Sequence, residues 1–435
     1  VRAVTFAGLK NLSSLFVIFY NIFLLLFRAG TNIASLFNPK AKKWLKGRTD
    51  IFTRLRAAIP ENDQILWMHC ASLGEFEQGR PVLEKLRQYY PGYKILLTFF
   101  SPSGYEVQKN YSGADWVFYL PADGAGNARR FLDIVHPSLV IFVKYEFWYY
   151  YLKKIKYRNI PLLLVSAVFR KGMSSFRWFS GLQLKMLSRF NHIFLQNESS
   201  KKMLDQRKAC SNYSVAGDTR FDRVIKIAEN PEPVAGIEHF CDQKKILVAG
   251  STWPEDEVVI SNIRGTLSRF DMKLIIAPHE IHSDHLKNLK TLFPDSILYS
   301  QLAVAGQVPV TSHCLIIDNI GMLSRLYRYA YISFVGGGFR PSGVHNVTEA
   351  AVYGKPVLTG PHIFKYAEAV ELVNTGGGFM VDSEEAMKNC IEKLIKNETG
   401  LYNHSSNAAY NYIRKNAGAA DKIIRFIQEK RLLTS

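Results

Sequence analysis

The stretch Val335-Gly336-Gly337-Gly338-Phe339-Arg340-Pro341-Ser342-Gly343-Val344-His345-Asn346-Val347-Thr348-Glu349-Ala350-Ala351 decides the fold class. An apolar run (YISFVGG, 331–337) ends in glycines, and a loop then carries Arg340 and His345. A helical pattern opens at Asn346 and stops at Gly354, before the next apolar run, PVLTGP (356–361). Strand, glycine turn, helix and strand in that order make a βαβ unit, the building block of parallel sheets covered by helices on both faces.

The same alternation extends outward. KILVAGS (245–251), LIIAP (274–278) and CLIID (314–318) precede the stretch. Earlier in the chain come ILWMHC (65–70), a helical segment over 77–90, KILLTFF (94–100), WVFYL (116–120), LVIFVKYE (139–146), PLLLVSA (161–167), HIFLQ (192–196) and NYSVAG (212–217). Between the two series lies AENPEPVAGIEHF (228–240), a Pro-containing stretch with little apolar periodicity that reads as a linker. The chain has 435 residues, and single cores stop growing at roughly 250–300, so two α/β domains are expected. Their bounds are 31–227 and 241–404, followed by a helical tail over 405–435. A ligand site is expected in a cleft faced by the strands' C-terminal ends.

Residues 1–30 read as a membrane anchor. LSSLFVIFYNIFLLLF (12–27) holds sixteen residues without a charge, about 24 Å of helix against a ~30 Å hydrocarbon core. A tilted span, a half-inserted anchor and a signal peptide all fit that length, although no small-x-small cleavage site follows Phe27. A buried core helix with a solvated basic linker is the soluble alternative. Arg28, Lys40, Lys42, Lys43, Lys46, Arg48, Arg54 and Arg56 follow, countered only by Asp50, which places this side in the cytoplasm. Fifty-five Lys plus Arg against thirty-seven Asp plus Glu give a net charge of +18 and an anionic partner: nucleic acid, a membrane surface or phosphorylated ligands; the basic residues after the anchor suit a membrane surface with anionic lipids. No nucleic-acid motif appears, so nucleic acid is not expected. Cys70, Cys210, Cys241, Cys314 and Cys390 are odd in number and scattered, which indicates neither a disulfide framework nor a zinc site.

Three motifs can carry chemistry. In His69-Cys70-Ala71-Ser72-Leu73-Gly74-Glu75 a strand turns into a helix, and Glu75 at the helix start serves equally as a general base or as a complement to the helix dipole. Ala249-Gly250-Ser251-Thr252 leads to Glu255, Asp256 and Glu257, a turn able to take phosphate oxygens. In the opening stretch, Gly337 and Gly338 let a ligand approach the backbone, Arg340 and a helix beginning at Asn346 suit a phosphate, and Glu349 can grip ribose hydroxyls. Asn346 and Glu349 also have the spacing of a capping box.

With these motifs the chain resembles GT-B glycosyltransferases and, more narrowly, the 3-deoxy-D-manno-octulosonic acid (Kdo) transferases. The matching residues are Ser72 to Glu75, TFFSPSG (98–104, with Ser103), Tyr119-Leu120-Pro121, Glu146-Phe147-Trp148, residues 217–222, 249–252 and 336–361. The resemblance implies two Rossmann-like domains facing a central cleft behind an anchor helix. It implies an inverting transfer of Kdo from CMP-Kdo to the lipid A precursor at the inner membrane of a bacterium, with no metal or other cofactor. Glu75 would be the base. Ser251, Thr252, His279, Gly337, Gly338, Arg340, His345, Asn346 and Glu349 would hold the donor. Ser72, Gly74, Ser103, Glu146, Arg170, Lys171, Arg177 and Arg220 would meet the acceptor, the three central cations belonging to a basic and aromatic segment, 168–190.

Departures from the family pattern are visible. A Glu-Thr-Glu-Leu-Trp-Pro run stands here as Lys144-Tyr145-Glu146-Phe147-Trp148-Tyr149. Pro-Arg-His-Pro has become Ala277-Pro278-His279-Glu280, which leaves the donor-phosphate arginine unplaced with His279 as a candidate replacement, and Gly-Asn-Leu-Lys has become Gly217-Asp218-Thr219-Arg220. Two other readings stay open: a membrane-associated GT-B transferase that uses a UDP-sugar to make the lipid A disaccharide, and a non-catalytic basic protein on the membrane surface.

Overall fold

The computed structural model describes residues 6–169, 180–207, 211–230, 232–305 and 312–434. The chain divides into two compact units, one of residues 1–223 with 418–435 and one of residues 224–417.

In the first unit the strands are β1 (Ile65–Cys70), β2 (Lys94–Phe99), β3 (Trp116–Tyr119), β4 (Pro137–Val143), β5 (Leu162–Ala167), β6 (His192–Leu195) and β7 (Tyr213–Val215). They form one parallel sheet in the order β3-β2-β1-β4-β5-β6-β7, with Trp67 facing Leu96 on one side and Val140 on the other. Every residue of β1 is buried, which is why its sequence is a continuous apolar run and not an alternating one. Its side chains still alternate between two cores. Ile65 and Trp67 join Val140, Phe142, Leu162 and Leu164 on one face, whereas Leu66, Met68 and Cys70 join Leu139, Ile141, Val143 and Leu163 on the other.

The second unit repeats the plan with β8 (Lys245–Thr252), β9 (Met272–Pro278), β10 (Ser296–Leu298), β11 (Cys314–Ile316), β12 (Ile332–Val335), β13 (Val357–Thr359) and β14 (Gly378–Met380). Its sheet is parallel, in the order β10-β11-β9-β8-β12-β13-β14.

The segment expected as one helical tail over 405–435 is instead two helices in different units. Leu401–Asn416 stays with the second unit. After Gly418, in the left-handed conformation at φ +92°, Ala419–Glu429 returns to the first. There Ala419, Ala420, Ile423, Ile424 and Ile427 complete the core beneath Leu66 and Met68. At the other crossing, the helix Thr219–Glu229 runs through the division between Arg223 and Val224, ahead of the expected linker at 228–240.

The N-terminal helix runs from Phe6 to Ala34, and its portion Phe16–Ala34 is long and apolar enough to cross a membrane. Ile18, Phe19, Ile22, Leu25, Leu26 and Ile33 are exposed, unlike the side chains of a core helix. Tyr20 faces the first unit: its hydroxyl donates to Asp123 Oδ2 at 2.7 Å, and Asp123 also accepts the backbone N–H groups of Tyr150 and Tyr151. Burial pushes the Asp123 carboxyl up, opposed by these same donors.

Candidate functional site

In the first unit β1 ends at Cys70, and the helix Leu73–Tyr89 starts after Ser72 at its N-cap. The Ser72 hydroxyl donates to the carboxylate of Glu75, which sits half-buried in the first helical turn. This contact orients the carboxylate at the C-terminal edge of the sheet, where parallel α/β sheets place their ligands. Gly74 is exposed in the same turn, and exposed Ser103 shares a 2.7 Å hydrogen bond with Ser101.

A buried polar chain lies beside this turn. His69 is fully buried, with Nδ1 2.9 Å from Thr98 Oγ1 and Nε2 3.1 Å from Glu146 Oε2. Trp148 Nε1 donates to the same Glu146 oxygen at 2.6 Å, and Trp67 Nε1 donates to Thr98 Oγ1 at 2.8 Å. Glu146, expected at the acceptor, is therefore occupied by His69 and Trp148. Sequence reasoning missed His69 as a partner, although it is the one strongly polar residue in the run ILWMHC.

A groove of about 830 Å³ opens in the first unit between the N-terminal helix and the sheet's end. Leu24, Leu25 and Phe27 supply an apolar wall, Phe100 and Trp148 the aromatic inner end, and Arg28, Lys46, Arg48 and Arg130 the positive charge. Arg48 is the best anchored: it stacks 3.8 Å over the Trp44 ring and donates to the carbonyls of Leu120, Phe100 and Trp44. Burial lowers the guanidinium's hold on its proton, yet at neutral pH an arginine keeps its charge. Among the described residues none of these four cations is paired with a carboxylate. The inner end is tied to the turn that carries Glu75, since the backbone N–H groups of Phe100 and Ser101 donate to the carbonyls of Cys70 and Ala71.

Of the other residues expected at the acceptor, Arg170, Lys171 and Arg177 lie outside the described residues. Arg220 is held by Asp218 Oδ2 through Nε at 2.9 Å and Nη2 at 2.7 Å. From the same basic segment Arg189 is buried, donating to the Tyr149 carbonyl at 2.8 Å, so it does not present its charge at a surface.

In the second unit β8 bulges at Ser251, whose φ of +53° offsets the pairing with β9 between Gly250 and Thr252. The glycines after β12 fit against this edge. A Cβ on Gly336 would fall 2.4 Å from the Ser251 carbonyl oxygen, and one on Gly338 would fall 2.5 Å from the Gly360 nitrogen. Fully buried Asp256 pins the loop, accepting from the N–H of Gly337 at 2.7 Å, Trp253 at 2.9 Å and Phe339 at 3.3 Å. Thr252, expected on the donor, turns inward: it is buried and donates to Glu257 Oε1, which leaves the outward position to Ser251. Glu257 in turn holds His285 at 2.8 Å, and His285 Nδ1 lies 2.8 Å from the Glu280 carbonyl, which fixes the loop carrying His279.

The helix expected from Asn346 to Gly354 is a single turn, Thr348–Ala351. Asn346 spends its side chain there, accepting from Thr348 N and Oγ1 and donating to Glu349 Oε1 at 3.0 Å. One turn supplies too few aligned peptides for an N-terminal anion site. Any phosphate at this loop must be met by side chains, since the N–H groups of Gly336, Gly337 and Phe339 are taken by the Gly250 carbonyl and Asp256. Three rings gather in front of it: His279 stacks on Trp253 at 4.7 Å and on His345 at 4.4 Å between centroids, and the Arg340 guanidinium lies 4.0 Å over Trp253. Arg340 also approaches Glu255 at 3.4 Å.

Burial, the neighbouring His279 and Arg340 together hold His345 down to about 4. An unfolded chain takes up this proton between pH 6.5 and 4 while the folded one does not. The stability contributed by neutral His345 is therefore complete above about pH 6.5 and lost as pH falls towards 4. Thermal unfolding followed from pH 7 to pH 4.5 should show that loss, and His345→Gln should shrink it.

Among the described residues no group of three or more His, Cys, Asp or Glu side chains is placed to hold a metal ion.

Residues 46–223, nearly all of the first unit beyond its N-terminal helix, match the family described as 3-Deoxy-D-manno-octulosonic-acid transferase (kdotransferase). The 3-deoxy-D-manno-octulosonic acid transferase of Haemophilus influenzae is 24% identical over 410 residues, covering 91% of this chain and 93% of that protein. The enzyme of the same name from Aquifex aeolicus is 29% identical over 337 residues, 76% of this chain and 86% of its own. Among solved structures, a putative UDP-N-acetylglucosamine 2-epimerase from Listeria monocytogenes superposes with a TM-score of 0.60 at 14% identity, covering 86% of this chain and 98% of that one. MurG from Acinetobacter baumannii does so with a TM-score of 0.51 at 14% identity, covering 84% and 99%. At these identities the structural likeness speaks for the fold alone.

Proposed function

Since this chain belongs to the Kdo transferases, GT-B glycosyltransferases, we propose that it moves Kdo from CMP-Kdo to a phosphorylated, acylated glucosamine lipid, the lipid A precursor, at the cytoplasmic face of the inner membrane. The observation that carries the acceptor is the groove of the first unit. Its four cations without carboxylate partners suit phosphates, its apolar helical wall suits acyl chains, and its inner end is hydrogen-bonded to the turn bearing Glu75.

In the proposed reaction the acceptor hydroxyl gives its proton to Glu75 as its oxygen bonds to the anomeric carbon of Kdo. The bond from that carbon to the phosphate breaks, CMP departs and the centre inverts. Ser251, Arg340, His279 and His345 take the donor's negative charge, and Glu349 takes its ribose. Donors fixed before the reaction cost no reorganisation when charge develops. No metal is assigned a part. Arg28 in the last part of the apolar helix and Lys40, Lys42, Lys43 and Lys46 after it support a cytoplasmic orientation with the body against anionic lipid.

Mass spectrometry of products from the purified protein with CMP-Kdo and tetra-acylated lipid A precursor tests donor and acceptor together. The expected product is the precursor bearing Kdo; product formed only with a UDP-sugar would reject the donor. In the same assay Lys46→Ala combined with Arg130→Ala should raise the acceptor KM about tenfold and leave the donor KM unchanged.

A further inference from the structure

Trp253 lies beside the residues assigned to the donor, and its ring is hydrogen-bonded, not merely packed: Nε1 is 2.9 Å from His345 Nε2. The two rings are within 12° of parallel with centroids 6.3 Å apart, so the bond runs edge to edge, and His279 stacks against both rings. An indole N–H can only donate, so His345 Nε2 must accept and carries no proton. The proton of the neutral ring then sits on Nδ1, which has no hydrogen-bond partner among the described residues.

We infer that Trp253 is a positioning residue: it fixes His345 in the neutral Nδ1–H form, so that His345 presents a hydrogen-bond donor to an anionic oxygen of the nucleotide-sugar. In water the Nε2–H form of histidine predominates, and a ring left to itself would present an acceptor at Nδ1 and repel the same oxygen. Burial and the adjacent His279 and Arg340 keep the ring neutral at pH 7, so which nitrogen bears the proton determines what the ring can bind. Arg340 over the Trp253 face supplies the cation, and His345 adds direction without a second charge. The inference rests on the nucleotide-sugar reading of this site only for the identity of the ligand.

Trp253→Phe keeps a ring for the stack and for Arg340 and removes the N–H. In full-length protein with 15N-labelled histidine, the wild-type His345 signals should show Nε2 unprotonated and Nδ1 protonated. In Trp253→Phe they should move towards the Nε2–H form. The dissociation constant for CMP should rise about tenfold, with the donor KM rising more than kcat falls, as for loss of a hydrogen bond to a charged group. His345→Asn in the Trp253→Phe background, whose amide nitrogen stands near the position of Nδ1 and donates whatever the tautomer, should recover most of the affinity. An unchanged tautomer in Trp253→Phe, or a changed tautomer with unchanged CMP affinity, overturns the inference. Failure of the wild-type protein to bind CMP would instead sink the nucleotide-sugar reading, and the two are told apart because the NMR measurement needs no ligand.

Discussion

Replacing Glu75 by glutamine should lower Kdo transfer by about 10³-fold, within the range general-base catalysis supplies. Glutamine retains an oxygen to accept from the Ser72 hydroxyl, so the start of the helix Leu73–Tyr89 should fold as before. Only proton uptake is lost. CMP affinity, a property of the second unit in this mechanism, should not move, and calorimetry with CMP separates the two. A buried carboxylate in this neighbourhood, Glu146, accepts from Trp148 and meets His69, so it is poorly free to act as a substitute base. Glu146→Gln should therefore reduce activity less than Glu75→Gln. Turnover retained in Glu75→Gln would return Glu75 to a helix-dipole role.

Asp256→Ala should produce the largest loss in the second unit. The substitution leaves the N–H groups of Gly337, Trp253 and Phe339 facing a small apolar void. A buried donor without its acceptor costs about 1–3 kcal/mol, so a loss of at least ~3 kcal/mol is expected for the three together. For a unit of this size that lowers Tm by roughly 6–12 °C. CMP affinity should fall more than tenfold even below the unfolding transition, because the glycine loop loses its anchor. Asp256→Asn, which retains one acceptor oxygen, should fall between. A Tm within 2 °C of wild type, read by calorimetry, would count against the anchoring role.

Most of both sheets is legible in the sequence because their strands are buried on two faces and read as unbroken apolar runs, as in ILWMHC and PLLLVSA. The strands β10 and β14 are not legible: three residues at a sheet edge leave too little pattern to separate from a loop. The helix proposed from Asn346 to Gly354 shows the opposite error. Asn346 and Glu349 have capping spacing and do bond to each other, but the chain leaves the helix after one turn. The break in the C-terminal tail had a signal in Gly418, which local reading passes over because the helical pattern resumes at once.

For the site, the motifs that carry Glu75, Arg340 and His345 were legible because each lies at a strand end followed by a turn. What holds them was not. Asp256 reads as one of three acidic residues at a helix start, and only the fold brings Gly337 and Phe339 to it. Trp253 carries no motif value until His345 arrives from 92 positions further along. The groove is assembled from residues near 24–28, 44–52, 100, 130 and 148, so its positive charge could be seen as a run while its shape could not.

The return of Ala419–Glu429 to the first unit bears on the order of synthesis. A ribosome releases the whole of residues 224–417 before the segment that closes the core beneath Leu66 and Met68 can emerge. During that interval the nascent first unit bears an oily flank open to chaperones. Its closing layer is made only after the whole of residues 224–417, so transfer competence must wait for the second unit to be synthesised.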